Sequence, residues 1–255
     1  MPTQSAPHSH NIVLEVAYDG TRFFGWQKTR AGPSIESELE GVLGAILQHP
    51  ITLEAASRTD RGVHAEGQIV NFPTQKTLNL ARLFKSLNQL LPPDIRVFSV
   101  REAESSFHPT LSAREKEYHY FLSPGSVMPP LLRHFAWHIP YPLNLDLMEQ
   151  AAREFLGLHE FRAFTNRRKN FTYKSTTRMV SKVRIKKMDS GLLCIEIRAN
   201  NFLYKMARNI VGTIVYAGLA KIAPGDIGTI IENKKRERAG ITAPAHGLIL
   251  HKIFY

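Results

Sequence analysis

Apolar alternation and helical spacing succeed one another in the same order twice along this chain. That repeated order constrains the fold more than any other feature of the sequence. Residues 11–18, NIVLEVAY, alternate and predict a strand. Ser34, with Glu36 and Glu38 behind it, opens a helical pattern through residue 48. Short strands are expected at 51–56 and 68–72, a helix at 79–91 stopped by Pro92 and Pro93, and a strand at 95–100. The second half starts with a strand at 117–122 and a Pro-rich connection over 124–142. A helix at 145–156 ended by Gly157 follows, then a hairpin of 179–187 and 192–198 turning across MDSG. A long helix at 202–220, a short one at 224–232 and a strand at 248–254 complete the chain. Each half carries the order β-α-β-β-α-β of the ferredoxin-like unit. The expected architecture is therefore α/β (α+β). Two such halves pack into a continuous, mainly antiparallel sheet, with helices on one face and a cleft on the other. Residues 1–10 read as a disordered tail, 11–105 as the N-terminal half and 106–255 as the C-terminal half.

The charge balance says what that cleft meets. The chain has 255 residues, a net charge of +11 and a pI near 9.8, which points to a polyanionic partner, nucleic acid ahead of a merely solvated or membrane-facing basic surface. The basic residues gather at NRRKN (166–170), SKVRIKK (181–187) and NKKRER (233–238). The single cysteine, Cys194, lies in an alternating apolar run and excludes an internal disulfide. A cytoplasmic setting fits that cysteine usage. The first ten residues lack the apolar core of a secretory signal. The longest apolar stretch, 210–220, falls short of the roughly 20 residues a membrane span needs, so no membrane partner is expected. No phosphate-cradling glycine motif is present, and His134 and His138 stand in a Pro-rich context as structural histidines, so neither cofactor nor metal is expected.

One stretch could carry chemistry. In SRTDRG the carboxylate of Asp60 stands between Arg58 and Arg61, with Gly62 next. Two cations directed at the carboxylate would hold it ionised, and Gly62 permits a sharp turn, so Asp60 could serve as a nucleophile. The same residues also make an ordinary Asx surface turn. Tyr118 and Tyr120 share one strand face and suit either core packing or stacking on a base. Lys205 and Arg208 are three apart on the expected long helix, and an inward Arg208 would need an acid partner.

The order of blocks resembles the tRNA pseudouridine synthase A family. YDGTRFFGWQ (18–27) is similar to its N-terminal signature and SRTDRGVHAEGQ (57–68) to its catalytic loop. LNQLLPPDIRV, SFHPTLSAREKEYHYFL, AAREFLGLHEFRAF, FLYKMARNIVGT and APAHGLILHKIFY follow in family order. The resemblance runs from about residue 12 to residue 255. It implies isomerisation of uridine to pseudouridine at positions 38 to 40 of the tRNA anticodon stem-loop, by a cofactor-free homodimer. Asp60 matches the essential aspartate and Tyr118 the tyrosine that contacts the target base. Arg58 matches a loop arginine that helps hold the flipped-out nucleotide, and Arg208 the arginine that pairs with the aspartate. Arg61, a substrate-side candidate, stands where many members have Ala. Ser57, Glu36, Pro109 and KMARN also depart from the usual pattern without touching Asp60, Tyr118 or Arg208. A non-catalytic RNA-binding module is the alternative class, but the RRM aromatic signature is absent.

Overall fold

The computed structural model describes residues 10–167 and 171–255. The tail expected at 1–10 lies, apart from His10, outside the described residues, as do positions 168–170 of the first basic stretch. The chain divides into two compact units, 1–113 with Tyr255, and 114–254. Both are mixed α/β with mostly antiparallel sheets, and five α-helices occur among the described residues.

The first unit runs β1 (His10–Tyr18), α1 (Ile35–Leu47), β2 (Glu54–Ala55), β3 (His64–Thr74), α2 (Leu80–Leu90) and β4 (Ile95–Ala103). This is the expected order. β1 is central, antiparallel to both β3 and β4, and β2 adds to β3. The register places Ile12 opposite Phe72 and Leu14 opposite Val70, and all four side chains are buried. α1 buries Ile35, Leu39, Leu43 and Leu47, a four-residue repeat that is one stripe of a helix. Its start is set locally. The Ser34 hydroxyl accepts from the Ser37 N–H at 3.1 Å, and the Ser37 hydroxyl accepts from the Ser34 N–H at 3.1 Å. These bonds satisfy two donors that a helix start leaves without partners. Asn79 caps α2 by accepting from the Arg82 N–H at 2.9 Å. β3 is longer than its sequence signal because pairing with β1 carries it through Gly67 and Pro73.

The second unit runs β5 (Glu115–Pro124), β6 (Trp137–Ile139), α3 (Leu145–Arg153), β7 (Gly157–Glu160), β8 (Thr177–Lys187), β9 (Leu193–Ala199), α4 (Met206–Gly218), α5 (Asp226–Asn233) and β10 (Leu248–Phe254). β5 pairs antiparallel with β10 and β9, β9 with β8, and β8 with β7, while β6 runs parallel to β5. β6 lies in the Pro-rich stretch expected to be a connection and β7 in a stretch assigned no element; they are three and four residues long, too short to show a period. α4 is buried on nearly every side, the polar Asn209 and Thr213 included, so it shows no single apolar stripe. At its middle, a Cβ on Gly212 would lie 1.7 Å from the Ile241 carbonyl oxygen. Helix and chain therefore touch backbone to backbone. α4 begins at Met206, not at 202, because Lys205 holds a left-handed φ of 61°. Lys205 thus stands outside the helix, its ammonium 5.0 Å from the Tyr204 ring centroid, and does not share a helical face with Arg208.

Two of the four cations in the basic run 181–187, Lys182 and Lys186, are spent in ion pairs inside this unit. Glu117 accepts from Arg198 Nε at 2.6 Å and from Lys182 Nζ at 3.2 Å. Lys182 also meets Glu196 at 2.6 Å, and Lys186 pairs with Glu196 as well. Burial pushes the Glu117 carboxyl up, but hydrogen bonds from His119, Arg198 and Lys182 outweigh it and bring the pKa down to about 2.

Candidate active site

The loop that carries Asp60 is held from three directions within the first unit. Asp60 opens a β-turn in which its carbonyl accepts from the Val63 N–H at 3.1 Å. Gly62 sits third in that turn with φ 76°, a conformation glycine adopts without steric cost. Thr59, buried, accepts from the Trp26 N–H at 3.0 Å through its carbonyl, and its hydroxyl meets the Tyr18 hydroxyl at 2.8 Å. Upstream, the buried Gln68 amide brackets Ser57. It accepts from the Ser57 N–H at 3.1 Å and donates to the Ser57 carbonyl at 2.6 Å. From outside, Gly25 presses on the loop. A Cβ there would lie 2.7 Å from the Thr59 carbonyl oxygen and 3.0 Å from the Arg61 nitrogen.

These contacts leave the Asp60 side chain half-buried and Arg58 and Arg61 exposed. The Arg61 guanidinium lies 4.2 Å from the centroid of the Phe24 ring, a cation–π distance. Phe24 is itself fixed, its N–H donating to the Pro33 carbonyl at 2.9 Å. Chemically this is a carboxylate on an immobilised turn with a solvent-facing cation on each side. The carboxylate suits nucleophilic or proton-transfer work, and the cations suit phosphates.

The second unit holds the other two candidates. Tyr118 lies on β5 opposite Leu250 and Ile197, is 6% exposed, and meets the Phe202 ring edge-on at 4.9 Å. Tyr120, on the same face, is fully buried and donates its hydroxyl to the Pro244 carbonyl at 2.8 Å. Burial raises the Tyr120 pKa well above its ordinary value, against a smaller pull from the Arg208 charge. Tyr120 is a core residue. Arg208, in the first turn of α4, donates Nε to the Ala243 carbonyl at 2.7 Å, and its own carbonyl accepts from the Ala243 N–H at 3.1 Å. The structure therefore brings Arg58, Asp60 and Arg61 together on one loop, and places Arg208 near Tyr120, in the other unit.

Thr59, Gln68, Gly25 and Phe202 are the supporting residues that sequence reasoning did not single out. All four lie in stretches that already drew attention, 18–27, 57–68 and 202–213, but their roles come from partners distant in the chain. His138 sits on β6 and hydrogen-bonds the Gly125 carbonyl at 2.7 Å, a structural role. Glu117, His119 and Glu196 converge within 4.8 Å in the second unit, but the Lys182 ammonium bonds both carboxylates there. A cation already neutralises that cluster.

The family model for tRNA pseudouridine synthase matches residues 15–110 and 151–255. The chain is 49% identical over 246 residues to tRNA pseudouridine synthase A 2 of Protochlamydia amoebophila (strain UWE25), covering 96% of this chain and 94% of that one. It is 40% identical over 245 residues to tRNA pseudouridine synthase A of Thermoanaerobacter sp. (strain X514), covering 96% and 99%. A second Protochlamydia amoebophila protein, tRNA pseudouridine synthase A 1, is 39% identical over 248 residues, covering 96% of each chain. With the matched blocks spanning both units, the chain belongs to the tRNA pseudouridine synthase A family, enzymes that isomerise uridine to pseudouridine in tRNA.

Proposed function

We propose that this chain isomerises uridines at positions 38 to 40 of the tRNA anticodon stem-loop, with Asp60 as the essential catalytic residue. The observation that carries the reading is the Asp60 turn itself, a half-buried carboxylate fixed between two exposed arginines in a member of this family. A pure RNA binder has little use for an anion among cations, since it repels phosphate.

A stacked uridine hides its glycosidic bond, so the target nucleotide must leave the stack first. Arg58 and Arg61 hold the strand that results through its phosphates. Asp60 then starts cleavage of the bond between C1′ and N1, by adding to C1′, adding to C6, or taking a ribose proton. The freed uracil turns while Tyr118 bounds its movement. C5 bonds to C1′, the proton on C5 leaves to solvent, and N1, freed from the sugar, takes one up. Arg208 supports the reaction as a second fixed cation. Atoms and electrons balance without an external reactant, so no cofactor takes part. The resemblance extends the proposal to a cytoplasmic homodimer, which equilibrium sedimentation would test.

Tritium at C5 of uridine in tRNA reports the chemistry directly. Release into water is expected with a tRNA bearing uridine at 38, 39 or 40, and almost none with a tRNA lacking all three. Tight binding without release would favour the non-catalytic alternative. Release from distant uridines would keep the chemistry and refute the position.

A further inference from the structure

The described residues of one basic stretch, 166–167, and those of another, 233–238, converge in the second unit. Their described residues line one cavity of about 450 Å³, with Arg162 and Arg167 on one side and Lys234, Lys235 and Arg236 on the other. The cations there outnumber the carboxylates, which are Glu237 in the lining and Glu160 beside it. Arg162 Nε at 3.8 Å and Lys234 Nζ at 3.0 Å share a single carboxylate, Glu160. Among the described residues, Arg167 and Lys235 make no ion pair. Arg236 is held only by neutral acceptors. Nη1 donates to the Gly240 carbonyl at 2.8 Å, and Nη2 to Asn209 at 2.8 Å and Thr242 at 3.0 Å, while its buried Nε–H has no acceptor. A half-buried guanidinium without a carboxylate calls for an anion from outside.

The cavity also offers a ring. Phe171 is 50% exposed and meets Tyr173 edge-on at 4.8 Å. Tyr173 is anchored in turn, its hydroxyl accepting from the Tyr204 N–H at 2.7 Å. A simple anion has no use for a partly exposed aromatic ring. A nucleotide does, because its base stacks on the ring while its phosphate meets the cations. The two walls are tied to each other by Asn209. Its amide donates to the Phe164 carbonyl at 2.7 Å and to Asn166 at 2.8 Å, and its oxygen accepts from Arg236 and Thr242. Asn209 directly follows Arg208, so the cavity and the supporting arginine share one helical turn.

We propose that this cavity seats one unstacked nucleotide of the tRNA backbone other than the target uridine, with its phosphate drawn by Arg167, Lys235 and Arg236 and its base against Phe171. The inference rests on the tRNA reading above. The test uses the full chain, with Phe171→Ala and a double Arg167→Gln, Lys235→Gln variant, all at exposed positions. Affinity for tRNA is measured against salt concentration. The double variant is expected to lower the slope of log Kd against log salt by about one to two, since each lost phosphate contact removes about 0.9. Phe171→Ala is expected to weaken binding about tenfold with the slope intact, and to act on KM. Parent-like affinity and slope in both variants would overturn the proposal. So would stabilisation by inorganic phosphate that the double variant loses while the tRNA slope stays put, which would make the cavity a small-anion site. Tritium release by the parent is recorded in the same samples, so failure of the isomerase reading shows there and not in the slope.

Discussion

Gly25→Ala should damage catalysis from outside the catalytic loop. The added methyl meets the Thr59 carbonyl oxygen at 2.7 Å, the Arg61 nitrogen at 3.0 Å and the Asp60 carbonyl carbon at 3.0 Å. Ordinary contact needs about 3.5 Å, so the Thr59 carbonyl must retreat by roughly 0.8 Å. That carbonyl now accepts from the Trp26 N–H at 3.0 Å, and the retreat breaks the bond. Losing it costs about 1 kcal/mol. Gly25 also holds φ 96°, where an L-residue adds strain of about 1–3 kcal/mol. The expected destabilisation is about 3 kcal/mol, a Tm fall of about 6–12 °C for a chain of this size. Because Asp60 follows Thr59 directly, misplacement approaching 1 Å should lower kcat about 100-fold. Chemical denaturation and tritium release, both well below the variant's Tm, measure the two effects separately. Gly41→Ala is the control. Gly41 lies inside α1 with nothing within 4 Å of an added Cβ, so the change should stabilise by about 0.5–1 kcal/mol without affecting kcat. A Gly25→Ala enzyme with parental Tm and kcat would refute the reasoning that this contact sets the loop.

Asp60→Asn should abolish tritium release while tRNA affinity stays within about twofold, because shape is kept and the nucleophile is not; a tenth of the parental rate would refute the role. Ser34→Ala should cost about 1 kcal/mol by urea titration, through loss of the capping box on α1, and no loss would show the cap is silent. Lys116 is 4% exposed, and burial, with a smaller contribution from Arg178, lowers its pKa from 10.5 to about 8. Between pH 8 and 10.5 the unfolded chain therefore binds a proton that the native state does not, so parent stability gains on the order of 3 kcal/mol across that window. Lys116→Met should remove that rise, leaving the variant more stable than the parent at pH 7 and the gap closing as pH increases; parallel stability curves for the two proteins would show that the ammonium is not destabilised in the fold.

Features written in local residue chemistry were legible in the sequence. Ser34 announced its helix because a cap needs only neighbours along the chain. The hairpin at 179–198 was visible for the same reason, with MDSG supplying the turn. The turn at Asp60 was readable from Gly62. Features made by distant partners were not. β6 exists because Trp137, His138 and Ile139 pair with Leu122, Ser123 and Pro124, and nothing in the Pro-rich run announces it. The start of α4 was placed too early because the apolar spacing continues through 202–205, while the left-handed turn at Lys205 has no residue-type signal. At the site, Asp60 stood out by its flanking charges. Thr59 and Gln68, which fix the loop, did not, since their partners Tyr18 and Ser57 meet them only in the folded chain.

The seam at Gly212 has a consequence for motion. Gly240 continues it, since a Cβ there would sit 2.5 Å from the Gly212 carbonyl oxygen. Where Gly212 and Gly240 meet, backbone touches backbone with no side chain between, so no rotamer change at that point can let one slide past the other. The amides along the seam, including the Gly240 N–H bonded to the buried Thr213 hydroxyl at 2.9 Å, should exchange with solvent only when the whole unit opens. Arg208 stands one turn from this seam and is joined to Ala243 by two hydrogen bonds. Its position then fluctuates with global opening rather than with local breathing. Raising the stability of the second unit would therefore sharpen the aim of the arginine, although no atom near it had been changed.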